Sequence, residues 1–255
     1  MNKNKIKKFI DVTAPGKRPA IGHLHPLTQA MEKTGRIFES MGFEIADGPE
    51  MESEYYNFDA LNIPSHHPAR SMWDTFWLKE PSGHGAEIGQ KLLLRTHVTS
   101  VDIRYLENNQ PPIKIISMGR VFRNEATDAT HETQFYQLDG LMINEKANMA
   151  NLKAVMKAYF KEFFGDSDLE VRFRPSYFPF VEPAVEVDVK FGGKWLEVAG
   201  AGMVHPKVLE MAKLDSNKYQ GFAFGMGLDR LVMVKHKIDD VRLFYSGDLR
   251  FIKQF

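Results

Sequence analysis

Cysteine is absent from the 255 residues, which excludes disulfides and thiolate metal sites and fits a reducing cytoplasm. No apolar run approaches the roughly 18 to 20 residues that a membrane span requires, so no membrane partner is expected. A secretory signal is missing too: Lys3, Lys5, Lys7 and Lys8 have no apolar segment behind them, and residues 1–20 read as a basic tail. Net charge is also lacking, with 33 basic residues against 33 acidic ones. The chain as a whole offers nucleic acid no attractive field, so any such contact must be local or lie on another chain. What the chain does have is apolar material, 43% hydrophobic with 12% aromatic, enough to bury the core of one large domain or two small ones without covalent staples.

Polar chemistry gathers in one stretch, IKIISMGRVFRNEATDATHETQFYQLDGLMIN, from Ile113 to Asn144. Two apolar runs, Ile113 to Phe122 and Phe135 to Ile143, flank a polar loop without proline, the pattern of antiparallel strands joined by a long hairpin loop. Alternation of side chains along a strand predicts Arg123 and Glu125 on one face at the end of the first strand. It also places Phe135, Gln137 and Asp139 on one face of the second. A guanidinium fits phosphate oxygens, a carboxylate accepts from an exocyclic amine, and a ring offers a stacking surface, so the set suits a nucleotide. A charged hairpin in solvent would carry the same residues.

A second stretch, GFAFGMGLDRLVMVKH, is predicted to pass from a strand through Gly225 and Gly227 into a helix with Arg230 in its first turns. Glycines at such a junction let a ligand approach the backbone, and the helix N-terminus carries positive potential. Together the two stretches resemble motifs 2 and 3 of class II aminoacyl-tRNA synthetases: Phe122-Arg123-x-Glu125, and Gly225-x-Gly227-x-x-Arg230. The strings HLHPLTQ, YYNFDALNIPSHHPAR, RFRPSYFPFVEP, WLEVAGAGMVHP and DLRFIKQF extend the resemblance, from about Ile21 to Phe255, to the alpha subunits of bacterial phenylalanyl-tRNA synthetases. The long helical hairpin with which those subunits begin has no counterpart in this sequence.

The resemblance implies an α+β protein with the class II fold, an antiparallel sheet of about six strands flanked by helices, over residues 21–255. It implies ATP-dependent activation of L-phenylalanine and transfer to tRNA(Phe), by a chain that pairs with itself and with a beta subunit in an α2β2 heterotetramer. Carried over residue by residue, Arg123 holds the alpha phosphate, Glu125 the adenine amine, and Phe135 and Arg230 the faces of adenine. His131 reaches the outer phosphates, bridged by magnesium, and Glu182 holds magnesium together with the partner subunit. His97, Thr99, Gln137 and Asp139 face the amino end of phenylalanine. Phe178 and Phe180 enclose its ring with edge-to-face geometry, Ala223 stands at the far end, and Trp73 borders the pocket.

The rest of the chain is read for packing. Pro26 opens a helix with Leu27, Met31, Thr34, Ile37, Phe38 and Met41 on one face, ended by Gly42 and followed by a strand from Phe43 to Ala46. By resemblance this is motif 1, an interface; by periodicity it is a core helix. His66 and His67 are adjacent, which is poor metal geometry. Ser82, Gly83 and Gly85 mark a loop, and without the resemblance Thr99 reads as a helix N-cap. Met149, Leu152, Met156, Tyr159, Phe160 and Phe163 form the buried face of a helix that stops at Gly165. Gly192-Gly193 reads as a hairpin turn that sets Lys190 opposite Trp195, Val189 opposite Leu196 and Asp188 opposite Glu197, with Val185, Val187 and Val189 buried. Facing carboxylates repel unless a cation lies between them, so Asp188 and Glu197 are expected to face an arginine or magnesium, or else to be flexible acids on an exposed rim. A non-catalytic paralogue that binds an amino acid or a protein partner remains the alternative function.

Overall fold

The structure, a computed structural model, describes Thr13, Gly16 and residues 21–71, 74–79 and 91–255. The basic tail, Trp73 and the loop of Ser82, Gly83 and Gly85 lie outside the described residues, Thr13 and Gly16 excepted. In chain order the elements are α1 (Pro26–Ser40), β1 (Glu44–Ala46), β2 (Met51–Ser53), α2 (Glu54–Asn57), β3 (Leu92–Leu94), α3 (Ser100–Asn108), β4 (Ile113–Phe122) and β5 (Gln134–Asn144). They continue with α4 (Met149–Phe164), β6 (Val171–Phe178), β7 (Val181–Phe191), β8 (Lys194–Val204), α5 (Pro206–Met211), β9 (Gln220–Gly227), α6 (Leu228–His236) and α7 (Leu249–Ile252).

Local chemistry sets the boundaries. The His25 ring accepts the Leu27 N–H at 3.2 Å and Pro26 fills the first position of α1, where its missing N–H costs nothing. Gly42, at φ +79°, then ends the helix as expected. Asn148 and Asn151 cap each other's backbone at the start of α4, and Gly165 closes it in the left-handed region. At Gly192 and Gly193 φ is +58° and +79°, the signs a type I′ turn requires, and the register that follows pairs Lys190 with Trp195, Val189 with Leu196 and Asp188 with Glu197.

Seven strands form the main sheet in the order β1-β4-β5-β9-β8-β7-β6, and β2 pairs with β3 in a separate ladder. Every neighbouring pair in the main sheet is antiparallel except β1 with β4. The seventh, parallel strand is the short Glu44–Ala46 segment; a crossover through α2 and α3 separates it from β4, which is how parallel neighbours are joined.

Parity on the central strands sorts the two faces. Leu138 of β5 and Phe222, Phe224 and Met226 of β9 point into a core made with α1, α4 and α6, where Phe38, Tyr159, Phe160 and Phe163 are fully buried. Thr34 and Tyr159 satisfy each other's hydroxyl there at 3.1 Å. The opposite face divides along its length. Leu141 and Ile143 join a second core with Phe58, Leu61, Leu93 and Ile103, while Phe135, Gln137 and Asp139 continue into an open trough. Its floor is made of small residues, Ala223, Gly225 and Gly227 on β9 and Gly200 and Gly202 on β8, paired in register.

Candidate active site

The trough opens into a cavity of about 430 Å³ that brings together Arg123, Glu125, His131, Phe135, Gln137 and Arg230. Strand β4 ends at Phe122, three residues short of Glu125, so Arg123 and Glu125 do not share a strand face and reach the cavity from the connecting loop. That loop is still tied: the Arg123 N–H donates to the Thr133 carbonyl at 2.9 Å. The Arg123 guanidinium lies 4.9 Å from the Phe135 ring centroid, and its Nε donates to the Thr96 carbonyl at 3.4 Å. Crowding by protein lowers its pKa, opposed by Glu125 and Asp139. Arg123 and Glu125 also border a second hollow of about 320 Å³ that includes His97.

His131 is held by its own loop. Its Nδ1 lies 3.1 Å from both Asp128 carboxylate oxygens, while Asp128 Oδ1 accepts the His131 and Thr130 backbone N–H groups at 2.8 and 2.6 Å. Those donors hold the Asp128 carboxyl far below the usual range. The loop thus presents an imidazole in a fixed place at the cavity mouth.

Deeper in the trough, Gln137 Nε2 donates to Asp139 Oδ1 at 2.7 Å and the Thr99 hydroxyl donates to Asp139 Oδ2. Thr99 does occupy the N-cap position of α3, but its hydroxyl makes no cap hydrogen bond; it is spent on Asp139. Burial pushes the Asp139 carboxyl up to about 6, against these two donors and the charges of Arg123 and Arg95. Gly225 lies opposite Asp139, and a Cβ there would come within 2.8 Å of Asp139 Oδ1, so the close approach requires glycine. Neither ring nitrogen of buried His97 makes a well-formed hydrogen bond, although the Asn57 backbone lies near enough to favour its charged form, and burial beside Arg123 outweighs that and takes its pKa down to about 4. A neutral imidazole results.

Phe178, at the end of β6, lies across Gly200, where a Cβ would meet its Cζ at 2.9 Å. The Phe178 and Phe180 rings are nearly parallel, at 19° with centroids 6.0 Å apart. The intervening turn is anchored at Pro179, whose carbonyl accepts Asn62 Nδ2 at 2.7 Å, and at Phe180, whose carbonyl accepts the His205 N–H at 2.9 Å. Ala223 and Phe180 pack against the same second core. Glu182 stands apart from the cavity, its side chain 78% exposed, with His205 Nε2 3.7 Å away. Among the described residues no cluster of three His, Asp or Glu side chains could hold a metal ion.

Of the two alternatives for Asp188 and Glu197, the arginine is present. Buried Asp188 accepts from Arg172 at 2.6 Å and from Arg174 at 2.7 Å, and Arg174 also reaches Glu197 at 3.4 Å. Their guanidinium groups lower the Asp188 pKa, those of Arg174 first.

Sequence reasoning missed two supporting residues. Asp229, the neighbour of Arg230, is buried, accepts the Tyr136 N–H at 2.7 Å and the Tyr245 hydroxyl, and so fixes the start of α6 against β5; its position in the first turn of a predicted helix was the available signal. Arg95 is buried and donates to the Arg120 and Gly48 carbonyls at 2.8 and 3.0 Å, passing over Gly119, which leaves room for it. Nothing in the local sequence marks that role.

Residues 9–255 match the family model for tRNA synthetases class II core domain (F). The phenylalanine–tRNA ligase alpha subunit of Marinomonas sp. (strain MWYL1) is 50% identical over 251 residues, covering 96% of this chain and 72% of that protein. The alpha subunit from Burkholderia thailandensis is 48% identical over 260 residues, covering 100% of this chain and 76% of that one. Among solved structures, a pyrrolysyl-tRNA synthetase from Desulfitobacterium hafniense superposes with a TM-score of 0.66 over 87% of this chain and 74% of that one, at 23% identity, a likeness of fold alone.

Proposed function

The chain belongs to the class II tRNA synthetase core family, and from that premise we propose that it is the catalytic subunit of a phenylalanine–tRNA ligase, activating L-phenylalanine with ATP and passing it to tRNA(Phe). The observation that supports this reading is the cavity that gathers Arg123, Glu125, Phe135, Gln137 and Arg230, with Asp139 bonded to Gln137 and with Phe178, beside Phe180, lying across its lining residue Gly200. A nucleotide and an amino acid laid end to end would meet over the glycine floor.

In the first step a phenylalanine carboxylate oxygen attacks the alpha phosphorus, the bond to the beta phosphate breaks, and pyrophosphate leaves. Such phosphoryl chemistry needs positioning and charge neutralisation more than a base. Arg123 is placed to neutralise the alpha phosphate, Glu125 to accept the adenine amine, and Phe135 and Arg230 to enclose the ring. His131 faces the outer phosphates. In the second step a ribose hydroxyl of tRNA attacks the acyl carbon, loses its proton, and displaces AMP.

Asp139, Gln137, Thr99 and His97 form the seat for the substrate's amino end, and Phe178, Phe180 and Ala223 the pocket for its side chain. Trp73, outside the described residues, is assigned to the same pocket's border. Among the described residues Glu182 is an exposed carboxylate that belongs to no cluster of three metal-ligating side chains, so no step is routed through a resident metal; magnesium would come with ATP, and Glu182 is open to ligands from a beta subunit. A beta subunit, an α2β2 assembly and the cytoplasm are the setting this reading implies. No described helix is long and apolar enough to cross a membrane. The test is charging of tRNA(Phe) with labelled phenylalanine by this chain assembled with a beta subunit. Phenylalanyl-tRNA should form, and Arg123→Ala should lower the rate by about 100-fold or more, the scale of removing one preorganised charge-stabilising donor. Charging with another amino acid in preference to phenylalanine would overturn the assignment.

A further inference from the structure

Seven buried polar side-chain atoms among the described residues lack a hydrogen-bond partner, and six of them lie on residues that pair or bond with Asp139 or that adjoin its partner Thr99 in sequence. These are both ring nitrogens of His97, Ser100 Oγ, Asp102 Oδ1, Ser117 Oγ and Gln137 Oε1. Ser117 is the register partner of Asp139, Gln137 bonds to it, and His97, Ser100 and Asp102 flank Thr99, which also bonds to it. Buried polar atoms are almost always satisfied, so a cluster of orphans in one place calls for a polar ligand. Asp102 Oδ1 and Gln137 Oε1 can only accept while Asp102 is a carboxylate, and a primary ammonium supplies three donors.

Asp102 is the odd member. It is 3% exposed, one helical turn after Thr99 on the same side, and its Oδ1 is buried with no hydrogen-bond partner among the described residues. Its neighbour on α3, Arg104, is taken by Glu52 at 2.7 Å on the far side. The charged groups around the pair are Asp139 from β5, Arg95 and His97 from the segment before α3, and Arg123 from the loop after β4.

We propose that Asp102 is a further positioning residue of the amino-acid site, a second carboxyl that pairs with the substrate's α-ammonium beside Asp139. The proposal rests on reading Gln137 and Asp139 as the seat of that amino group. Burial, and then the Asp139 charge, push the Asp102 carboxyl well above its ordinary range, while Asp139 itself is favoured as the anion by Thr99, Gln137, Arg123 and Arg95. On this reading the raised Asp102 carboxyl carries a proton beside the Asp139 anion before phenylalanine binds. When the ammonium enters, the Asp102 O–H bond breaks, the proton passes to solvent, and the carboxylate faces the cation. One positive charge arrives and one leaves, so the net charge of the buried nest is unchanged.

Calorimetric titration of L-phenylalanine into the chain assembled with its beta subunit, at neutral pH in two buffers of different ionisation enthalpy, tests this. The wild type should release close to one proton per phenylalanine bound. L-phenyllactate, which has a hydroxyl in place of the ammonium, should release none. In Asp102→Asn the release should vanish and the Kd for phenylalanine should rise at least tenfold, with the Kd for ATP unchanged. Phenylalanine binding without a buffer-dependent heat in the wild type, or the same release in Asp102→Asn, overturns the proposal and leaves the pocket reading standing. No binding of phenylalanine at all overturns the pocket reading first. Should Asp102→Asn fail to assemble, the wild-type comparison of the two buffers and the two ligands decides alone.

Discussion

Ala223 packs against the second core on a strand position flanked by Leu141 and Gly202, and on the proposed reading its methyl group closes the far end of the ring pocket. Removing that methyl in Ala223→Gly should admit para-chlorophenylalanine, and a pocket gain of this size changes discrimination by about 1–3 kcal/mol, or 10- to 200-fold. The ratio of kcat/KM for the two amino acids is the readout; an unchanged ratio counts against the pocket. Asp229 makes a different kind of prediction. Burial raises its pKa to about 6 in the folded chain, above the ordinary 3.8. The native state therefore holds this proton more tightly than the unfolded chain, so the group's contribution is fully present below about pH 4 and is lost as pH rises through 6. Urea unfolding of wild type and Asp229→Asn across that range should show the wild type losing on the order of 2–3 kcal/mol relative to the variant. A constant difference from pH 4 to 7 would mean that Asp229 does not titrate as a buried acid.

At the scale of elements, the β6-β7-β8 ribbon is bound by charge on the trough side and by apolar packing on the other. Val185, Val187 and Val189 are buried beneath it, while Arg172 and Arg174 close over Asp188. Replacing Asp188 by Asn leaves two arginines with one weaker acceptor. We expect a loss of about 1–3 kcal/mol and faster hydrogen exchange along β6, with little change in ATP affinity. A large fall in ATP affinity at unchanged stability would instead make Asp188 part of the nucleotide site. The turn end of this ribbon was legible in the sequence, because Gly192-Gly193 fixes the turn and alternation then fixes the facing pairs as far as Asp188 and Glu197; beyond them a bulge shifts the register, which the local sequence does not mark. The β5 face was legible for the same reason. The arginines on β6 were not tied to Asp188 beforehand, because their contact is cross-strand and depends on a register the local sequence of β6 does not specify. The parallel docking of β1, the path of Arg95 over Gly119 and the Asp229–Tyr245 bond are long-range pairings of the same sort, and composition and periodicity carry no signal for them.

For the whole molecule, one sheet separates a helical core of α1, α4 and α6 from a face given over partly to a second core and partly to the trough. Stability and chemistry are thus divided by the parity of residues on the same strands. The chain spans 72–76% of the length of the alpha subunits described above, and its formal charge is zero. A neutral chain sets up no long-range attraction for tRNA of its own, and the proposed adenylate chemistry draws on the trough. The most direct measurement is phenylalanine-dependent exchange of pyrophosphate into ATP, by the isolated chain and again with a beta subunit and tRNA added. The account predicts exchange that depends on phenylalanine and on Arg123, appearing at the latest when the beta subunit is present. A folded chain that gives no exchange under any of these conditions would contradict it, and would leave a protein that binds an amino acid or a partner without activating anything.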